Sequence, residues 1–272
     1  MSRIVVIFDF DRTIIDGDSD NWVVTQMGLT HLFDQLFSTM PWNSLMNRMM
    51  EELHLQQKTI EDIGECLKQM PLHPKIISAI KSAHSMGCDL RIVSDANQFF
   101  IKTILEQHQL FGFFTEIITN PTSVDDDGRL RIVPYHDFKL SPHGCTLCPT
   151  HMCKGMILEG IQAFSRQNGK NITIYIGDGG GDYCPSLKLG ENDHVMPRKK
   201  FPLWERIHRN PSLLKATVHE WSNGEELETT LLHLITCRAT DGNQCVYAST
   251  GSDTTSKVHS RPASTIKVCQ SL

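Results

Sequence analysis

A chain of 272 residues is long enough to bury a substantial core in one or two domains, and its 40% apolar and 21% charged residues belong to a soluble globular protein, not to a fibrous or membrane class. A formal charge of −5 with no long basic run argues against nucleic-acid binding, and Arg198-Lys199-Lys200 reads as a solvated face. No stretch reaches the ~18 apolar residues of a membrane span, and the N-terminal apolar run is too short for a secretory signal, so a cytoplasmic location with mostly reduced thiols is expected for the nine cysteines.

The first element, RIVVIF over residues 3–8, is a buried strand that stops abruptly at acid: Asp9, Asp11, Asp16, Asp18 and Asp20. The interval before the next strand is too long for one crossover helix. Helical periodicity in residues 21–37, 42–55 and 59–70 predicts a small helical domain inserted after the first strand, with its methionines as core filler. KIISAIKSAHSMG (75–87) returns the chain to the sheet, with Gly87 as C-cap. DLRIVS (89–94) is a second buried strand, a helical pattern follows over 96–110, and TEIIT (115–119) is a shorter strand. VDDDGRLRIVPY (124–135) reads as a hairpin turn with a following strand. KGMILEGIQAF (154–164) is a helix and NITIYIG (171–177) a strand. PLWERIHR, a strand ATVHEW (216–221) and a helix EELETTLLHLI complete the pattern. Strands alternating with helices predict an α/β fold, a Rossmann-like, doubly wound parallel sheet with helices on both faces. Its core spans residues 1–15 and 86–236, the helical cap 16–85, and a disordered tail 237–272.

Ligands of such sheets bind beyond the carboxyl ends of the strands. The first strand ends in DFDRT (9–13), the second in Ser94-Asp95-Ala96-Asn97, and NITIYIG in GDGGGD (177–182). Lys154 opens the helix before that last strand. Several carboxylates at one edge are tolerable if a divalent cation neutralises them, and hard oxygen donors suit Mg²⁺ together with a substrate phosphate. Asp9 and Asp11, two apart, point the same way from extended chain, so one can attack phosphorus while the other serves the leaving group. Ser94 and Lys154 would hold phosphoryl oxygens. The glycines do not make a nucleotide loop, because the Lys-Ser/Thr ending and the dinucleotide spacing are both missing.

This constellation resembles the haloacid dehalogenase-like phosphatases over roughly residues 3–236. FDFDRTIIDGDSDNWVV, IVSDAN, LCPTHMCKG and YIGDGGGDYCP are similar to the phosphoethanolamine/phosphocholine phosphatase branch, and most to its plant members, variously called thiamine phosphate phosphatase-like, pyridoxal phosphate phosphatase-related or pyrophosphatase-like. The resemblance implies Asp9 as nucleophile and Asp11 as general acid and base. It implies Mg²⁺ bound by Asp9, Asp178 and the Asp11 carbonyl, with Asp182 supporting the metal site. Asp20 and Asp95 are implied in substrate choice. The expected substrate is a small phosphorylated metabolite with a cationic headgroup, such as phosphoethanolamine, phosphocholine or thiamine monophosphate, which distal carboxylates would attract. An inorganic pyrophosphatase in the same fold, or a catalytically weak binding protein, are the other readings.

Blander roles compete for several residues. Asp16 and Asp18 suit turn and N-cap positions. Asp20 could cap the helix near Trp22, and Asp95 and Asn97 the helix after the second strand. Cys145, Cys148 and Cys153, with His143 and His151 nearby, contain a C-x2-C zinc half-site whose second half is badly spaced, so packing or redox-sensitive thiols compete with a zinc reading. The last four residues, Cys269 to Leu272, have only the outline of a prenylation box.

Overall fold

The computed structural model describes residues 3–167 and 171–239. Six parallel strands form the central sheet, in the spatial order β3 (Glu116–Asn120), β2 (Asp89–Asn97), β1 (Arg3–Phe8), β6 (Asn171–Gly177), β7 (His194–Pro197) and β8 (Thr217–Val218). A separate antiparallel hairpin pairs β4 (Thr122–Val124) with β5 (Leu130–Ile132). The α/β architecture with a parallel sheet is the one expected.

β1 explains why its sequence is uninterrupted by polar residues. Val6 and Phe8 enter a core shared with α5 (Pro74–Ser85), α6 (Gln98–Gln107) and α10 (Gly224–Ala239). Val5 and Ile7 enter a second core on the opposite face, with α7 (Lys154–Gln167) and α9 (Pro202–Arg209). Successive side chains alternate between faces, and here both faces are covered.

The register sets the site. Phe8 pairs with Ile92 on one side and Ile176 on the other, so β1 and β6 end within one residue of each other while β2 runs on past them to Asn97. The Asp9 amide continues the ladder by donating to the Ile176 carbonyl at 2.8 Å. With β2 and β6 flanking β1 on opposite sides, the crevice beyond their carboxyl ends lies at a switch point of the topology.

Between β1 and α5 the chain forms α1 (Ser19–Gln26), α2 (Thr30–Leu36), α3 (Trp42–Leu55) and α4 (Ile60–Lys68). Thr59 and Asp62 make a reciprocal capping box for α4. Leu45, Met46, Met49, Met50 and Leu53 of α3 are buried, and the methionines act as filler. The Asn47 side chain clasps β5 by accepting from the Ile132 amide at 2.8 Å and donating to its carbonyl. α5 packs on α10, helped by Lys75–Glu228 at 2.9 Å.

Some elements depart from expectation. β7, His-Val-Met-Pro, has too few apolar residues to stand out. The strand expected over 216–221 is only Thr217–Val218, although Trp221 still bridges Arg198 in parallel. Arg198 is not part of a solvated face: its guanidinium donates to the Arg12 carbonyl at 2.6 Å and pairs with Asp16 at 2.8 Å. Residues 237–239 continue α10, and the rest of the expected tail, with the prenylation-like ending, lies outside the described residues. Among the described residues no helix is long and apolar enough to cross a membrane.

Trp221 anchors the far edge of the sheet. It is 1% exposed, its indole N–H donates to the Met196 carbonyl at 3.0 Å, and the Arg198 guanidinium lies 5.1 Å from its ring. Trp221→Ala should lower the unfolding free energy by about 3–5 kcal/mol in urea titrations; a loss below about 1 kcal/mol would show that this edge packs independently of the indole.

Candidate functional site

The site grows from the end of β1. Asp9 is carried inward by the ladder, and its Oδ1 accepts from the Phe10 amide at 2.7 Å. Phe10 is buried, and the chain then closes a tight loop: Ile14 N–H donates to the Phe10 carbonyl at 2.8 Å and Arg12 N–H to the Gly17 carbonyl at 2.8 Å. This loop sorts the five acids. Asp16 is held by Arg198. Asp18 is the N-cap of α1, accepting from the Asn21 amide at 2.9 Å, and pairs with Arg12 at 3.2 Å. Asp11 accepts from the Ser19 amide at 2.8 Å. Asp20 is therefore not the cap. It sits in the first turn of α1, buried against α3, where the Trp42 indole donates to its Oδ2 at 2.7 Å. Its Oδ1 is buried with no hydrogen-bond partner among the described residues.

Lys154, the first residue of α7, is buried with its Nζ 2.9 Å from Asp9, 2.9 Å from Asp182 and 3.5 Å from Asp95. Desolvation disfavours its charge, but the Asp182, Asp9 and Asp95 carboxylates outweigh it and raise its pKa well above the ordinary lysine value. Asp182 is saturated. Its Oδ1 accepts from Lys154 and from the Tyr175 hydroxyl at 2.7 Å, and its Oδ2 accepts from the amides of Asp178 at 3.1 Å and Gly179 at 2.9 Å. Gly177 makes this possible: a Cβ there would lie 2.6 Å from the Asp182 carboxylate.

Ligand oxygens of Asp9, Asp178 and Asp182 all lie within 4.8 Å of one another. Burial, then Asp182, push the Asp9 carboxyl well above the usual range against the pull of Lys154. Burial and Asp182 likewise raise Asp178 to about 7, although the Thr13 hydroxyl donates to it at 3.3 Å. One ammonium does not neutralise this group. A hard divalent cation would, and with Asp182 occupied by four donors, Asp9 and Asp178 are the carboxylates able to hold it.

On β2, Ser94 is fully buried and its Oγ accepts from the Ala96 amide at 3.3 Å. Asn97, not Asp95, caps α6, accepting from the Phe100 amide at 3.0 Å. Asp95 instead faces Lys154. Burial works against its charge, but Lys154 and His151 hold its pKa below the ordinary value. Asn120, at the end of β3, braces this turn by donating to the carbonyls of Asp95 at 2.7 Å and Ala96 at 2.8 Å. Asn120, Trp42, His151 and Tyr175 escape a reading of the sequence. Asn120 and Tyr175 had a signal, as polar groups at or near strand ends, whereas Trp42 and His151 reach the site only through tertiary packing.

A cavity of ≈ 290 Å³ joins Asp9, Asp11, Asp20, Asp95, Asp178 and Lys154, and Arg12 with its partner Asp18, Trp42, Ala96, Pro149, His151 and the backbone of Gly179–Gly181 complete its wall. A larger cavity of ≈ 520 Å³ lies beside Arg91 and Glu116, but those charges are spent on each other and no acids converge there. Chemistry, not volume, locates the site.

Comparison with known proteins agrees. The family model described as Putative Phosphatase matches residues 4–235. A thiamine phosphate phosphatase-like protein of Arabidopsis thaliana is 59% identical over 236 residues, covering 86% of this chain and 96% of that protein. Inorganic pyrophosphatase 2 of the same plant is 58% identical over 235 residues, covering 86% of this chain and 84% of that protein. The solved structure of a phospho-aspartyl intermediate analogue of phosphoserine phosphatase shares the fold, with a TM-score of 0.57 at 18% identity across 85% of this chain and 99% of its own. With the match running through every segment that reaches the cavity, the chain belongs to the haloacid dehalogenase-like phosphatases and is a phosphatase enzyme.

Proposed function

We propose that the enzyme is a Mg²⁺-dependent phosphomonoester hydrolase, in which Asp9 forms an aspartyl-phosphate, acting on small metabolites with a cationic headgroup. The observation that carries this reading is the meeting of Asp9, Asp178 and Lys154 from three separate strand and helix ends within one small cavity. Mg²⁺ held by Asp9 and Asp178 would supply charge neutralisation for the phosphoryl oxygens.

In the first half-reaction an Asp9 oxygen bonds to phosphorus as the bond to the ester oxygen breaks, and Asp11 gives that oxygen its proton. In the second, the Asp11 carboxylate takes a proton from water, whose oxygen attacks phosphorus and releases Asp9. Lys154, fixed by Asp182, offsets the charge on the phosphoryl group throughout, while Ser94, fully buried on β2, does not line the cavity. The helices α1 to α4 serve as the cap, contributing Asp20 and Trp42 to the far wall, whereas α5, expected in the cap, packs on the sheet. A cytoplasmic setting is part of the reading.

Two features support a cationic headgroup. Asp20 retains an unpartnered carboxylate oxygen, and Trp42 sets an aromatic surface beside it. Phosphocholine, phosphoethanolamine and thiamine monophosphate each place a cation beyond the phosphate. Relatives named for thiamine phosphate and for pyrophosphate are equally similar to this chain, so identity does not choose between them. The charged form of Asp20 supports the cationic substrates, because it would repel a second phosphate.

Asp9→Asn should lower kcat by at least about 10³-fold without loss of helicity by circular dichroism, and acid-quenched wild type should retain radiolabel from a labelled substrate that the variant lacks; full activity in the variant would remove Asp9 as nucleophile. Above pH 8, where Asp20 is charged, Asp20→Asn should raise KM for phosphocholine about tenfold while leaving KM for an alkyl phosphate with no cation nearly unchanged, and equal effects on both would remove the headgroup assignment.

The pH dependence has a definite sign. Burial, then Asp18, raise Asp20 to about 8 against the Trp42 hydrogen bond, so its charge appears as pH rises through about 8. KM for phosphocholine, whose headgroup does not titrate, should fall across that interval relative to the alkyl phosphate, and Asp20→Asn should abolish the difference.

A further inference from the structure

Outside the catalytic cavity, four cysteines meet. Residues 133–153 run from β5 to α7 with no helix or strand, an unusual length for an ordered segment without a staple. Within it Cys145 and Cys148 form a C-x2-C pair and Cys153 directly precedes α7. The fourth, Cys184, comes from α8 (Tyr183–Ser186), just after Asp182. All four are free thiols and their sulfurs lie within 4.8 Å of one another. Cys153 and Cys184 are 1% and 3% exposed, and the other two are half-buried.

We propose that Cys145, Cys148, Cys153 and Cys184 bind one structural zinc ion. The Cys145 and Cys184 sulfurs are 3.7 Å apart, close to the ~3.8 Å edge of a tetrahedron with Zn–S bonds of about 2.3 Å and far from the ~2.05 Å of a disulfide. The surroundings are built to this arrangement. A Cβ on Gly155 would lie 2.4 Å from the Cys184 sulfur, so glycine at that position makes room for it. The histidines frame the cluster without joining it. His143 Nδ1 accepts from the Cys145 amide at 3.0 Å and its Nε2 reaches the Pro149 carbonyl at 2.9 Å, a pairing that one neutral tautomer satisfies. His136 Nδ1 accepts from the Cys153 amide at 3.2 Å. Backbone amides beside the sulfurs are thereby fixed, as outer partners commonly fix metal-binding loops. Four thiolates are a soft set that selects zinc over magnesium, and binding releases the thiol protons to solvent.

The position gives the ion a purpose. Cys153 is adjacent to Lys154, and Cys184 is two residues beyond Asp182, the partner of Lys154 at 2.9 Å. Pro149 and His151, on the clamped segment, line the catalytic cavity. The zinc ties the start of α7 to α8 and holds one wall of the cavity, while touching none of the reacting groups.

The test uses the full chain expressed in zinc-replete medium and dialysed against EDTA. Elemental analysis should find one zinc per chain, released stoichiometrically by an organomercurial, and cobalt substitution should give the strong sulfur-to-metal charge-transfer bands of a tetrahedral tetrathiolate. Cys184→Ser should lose the zinc. Asp9→Asn, Asp178→Asn and Cys66→Ser should keep it, which separates this site from the carboxylate cluster. Wild-type protein without bound zinc, iron in its place, a disulfide among the four cysteines in protein prepared anaerobically, or undiminished zinc in Cys184→Ser would each overturn the proposal. The wild-type measurements stand whether or not the variants fold.

Discussion

A buried ammonium organises this molecule. Lys154 reaches Asp9 and Asp182 at the same 2.9 Å, and those two carboxylates arrive from β1 and from the loop after β6. Removing one member of such a buried group costs about 3–5 kcal/mol, because the charge left behind has no water to stabilise it. Yet the ammonium meets three carboxylates, Asp9, Asp95 and Asp182, and Asp178 crowds two of them, so the cluster takes up protons, as the raised pKa values of Asp9 and Asp178 reflect, or further positive charge. The fold thus contains an electrostatic deficit at the carboxyl edge of its sheet, and that deficit is what a metal and a phosphoryl group together can use.

Asp182 shows how the deficit is localised. Its four accepted hydrogen bonds take up its lone pairs and fix Lys154 from behind. Asp9 and Asp178 are left with unsatisfied capacity at the cavity. A carboxylate whose partners are all protein groups tunes and positions; one whose partners are missing binds. The same division separates the acids after β1, where Asp16 and Asp18 are engaged with Arg198, Arg12 and the start of α1, while Asp20 keeps an unpartnered oxygen.

The parts legible in the sequence are those with a local cause. β1, β2 and β6 stand out because strands covered on both faces have no polar alternation, and the acid at their ends marks where that cover stops. β7 is hidden because four residues with a histidine and a proline carry too little pattern, whereas β8 is legible in ATVHEW but shorter than expected, spanning only Thr217–Val218. The cap of α1 illustrates a finer limit. Asp18 and Asp20 are equivalent by residue type, and only the position of the first helical turn assigns capping to one and leaves the other facing Trp42. Arg198 looks solvated in a run of three cations, but the backbone it binds, at Arg12, is distant in sequence. Cys184 is hidden for the same reason: its partners Cys145, Cys148 and Cys153 lie in a distant segment of the chain, and nothing local marks it as the fourth member.

Ligand softness gives the arrangement a further logic. The carboxylates at the strand ends are hard donors that suit Mg²⁺, whereas the four sulfurs beyond Lys154 and Asp182 are soft donors that suit zinc. The Lys154–Asp182 pair lies between these two sets. A metal that exchanges with solvent and substrate can therefore sit beside one that does not, because four thiolates do not hold Mg²⁺ and take zinc in preference to the carboxylates. Rigidity follows from the same separation. The sulfur site immobilises a segment that has no hydrogen-bonded ladder of its own, and it does so at the two residues, Cys153 and Cys184, whose neighbours set the position of the ammonium. Precision at Lys154 then depends on covalent geometry and metal coordination, not on the packing of a loop, which is what a charge placed within hydrogen-bond distance of a nucleophile requires.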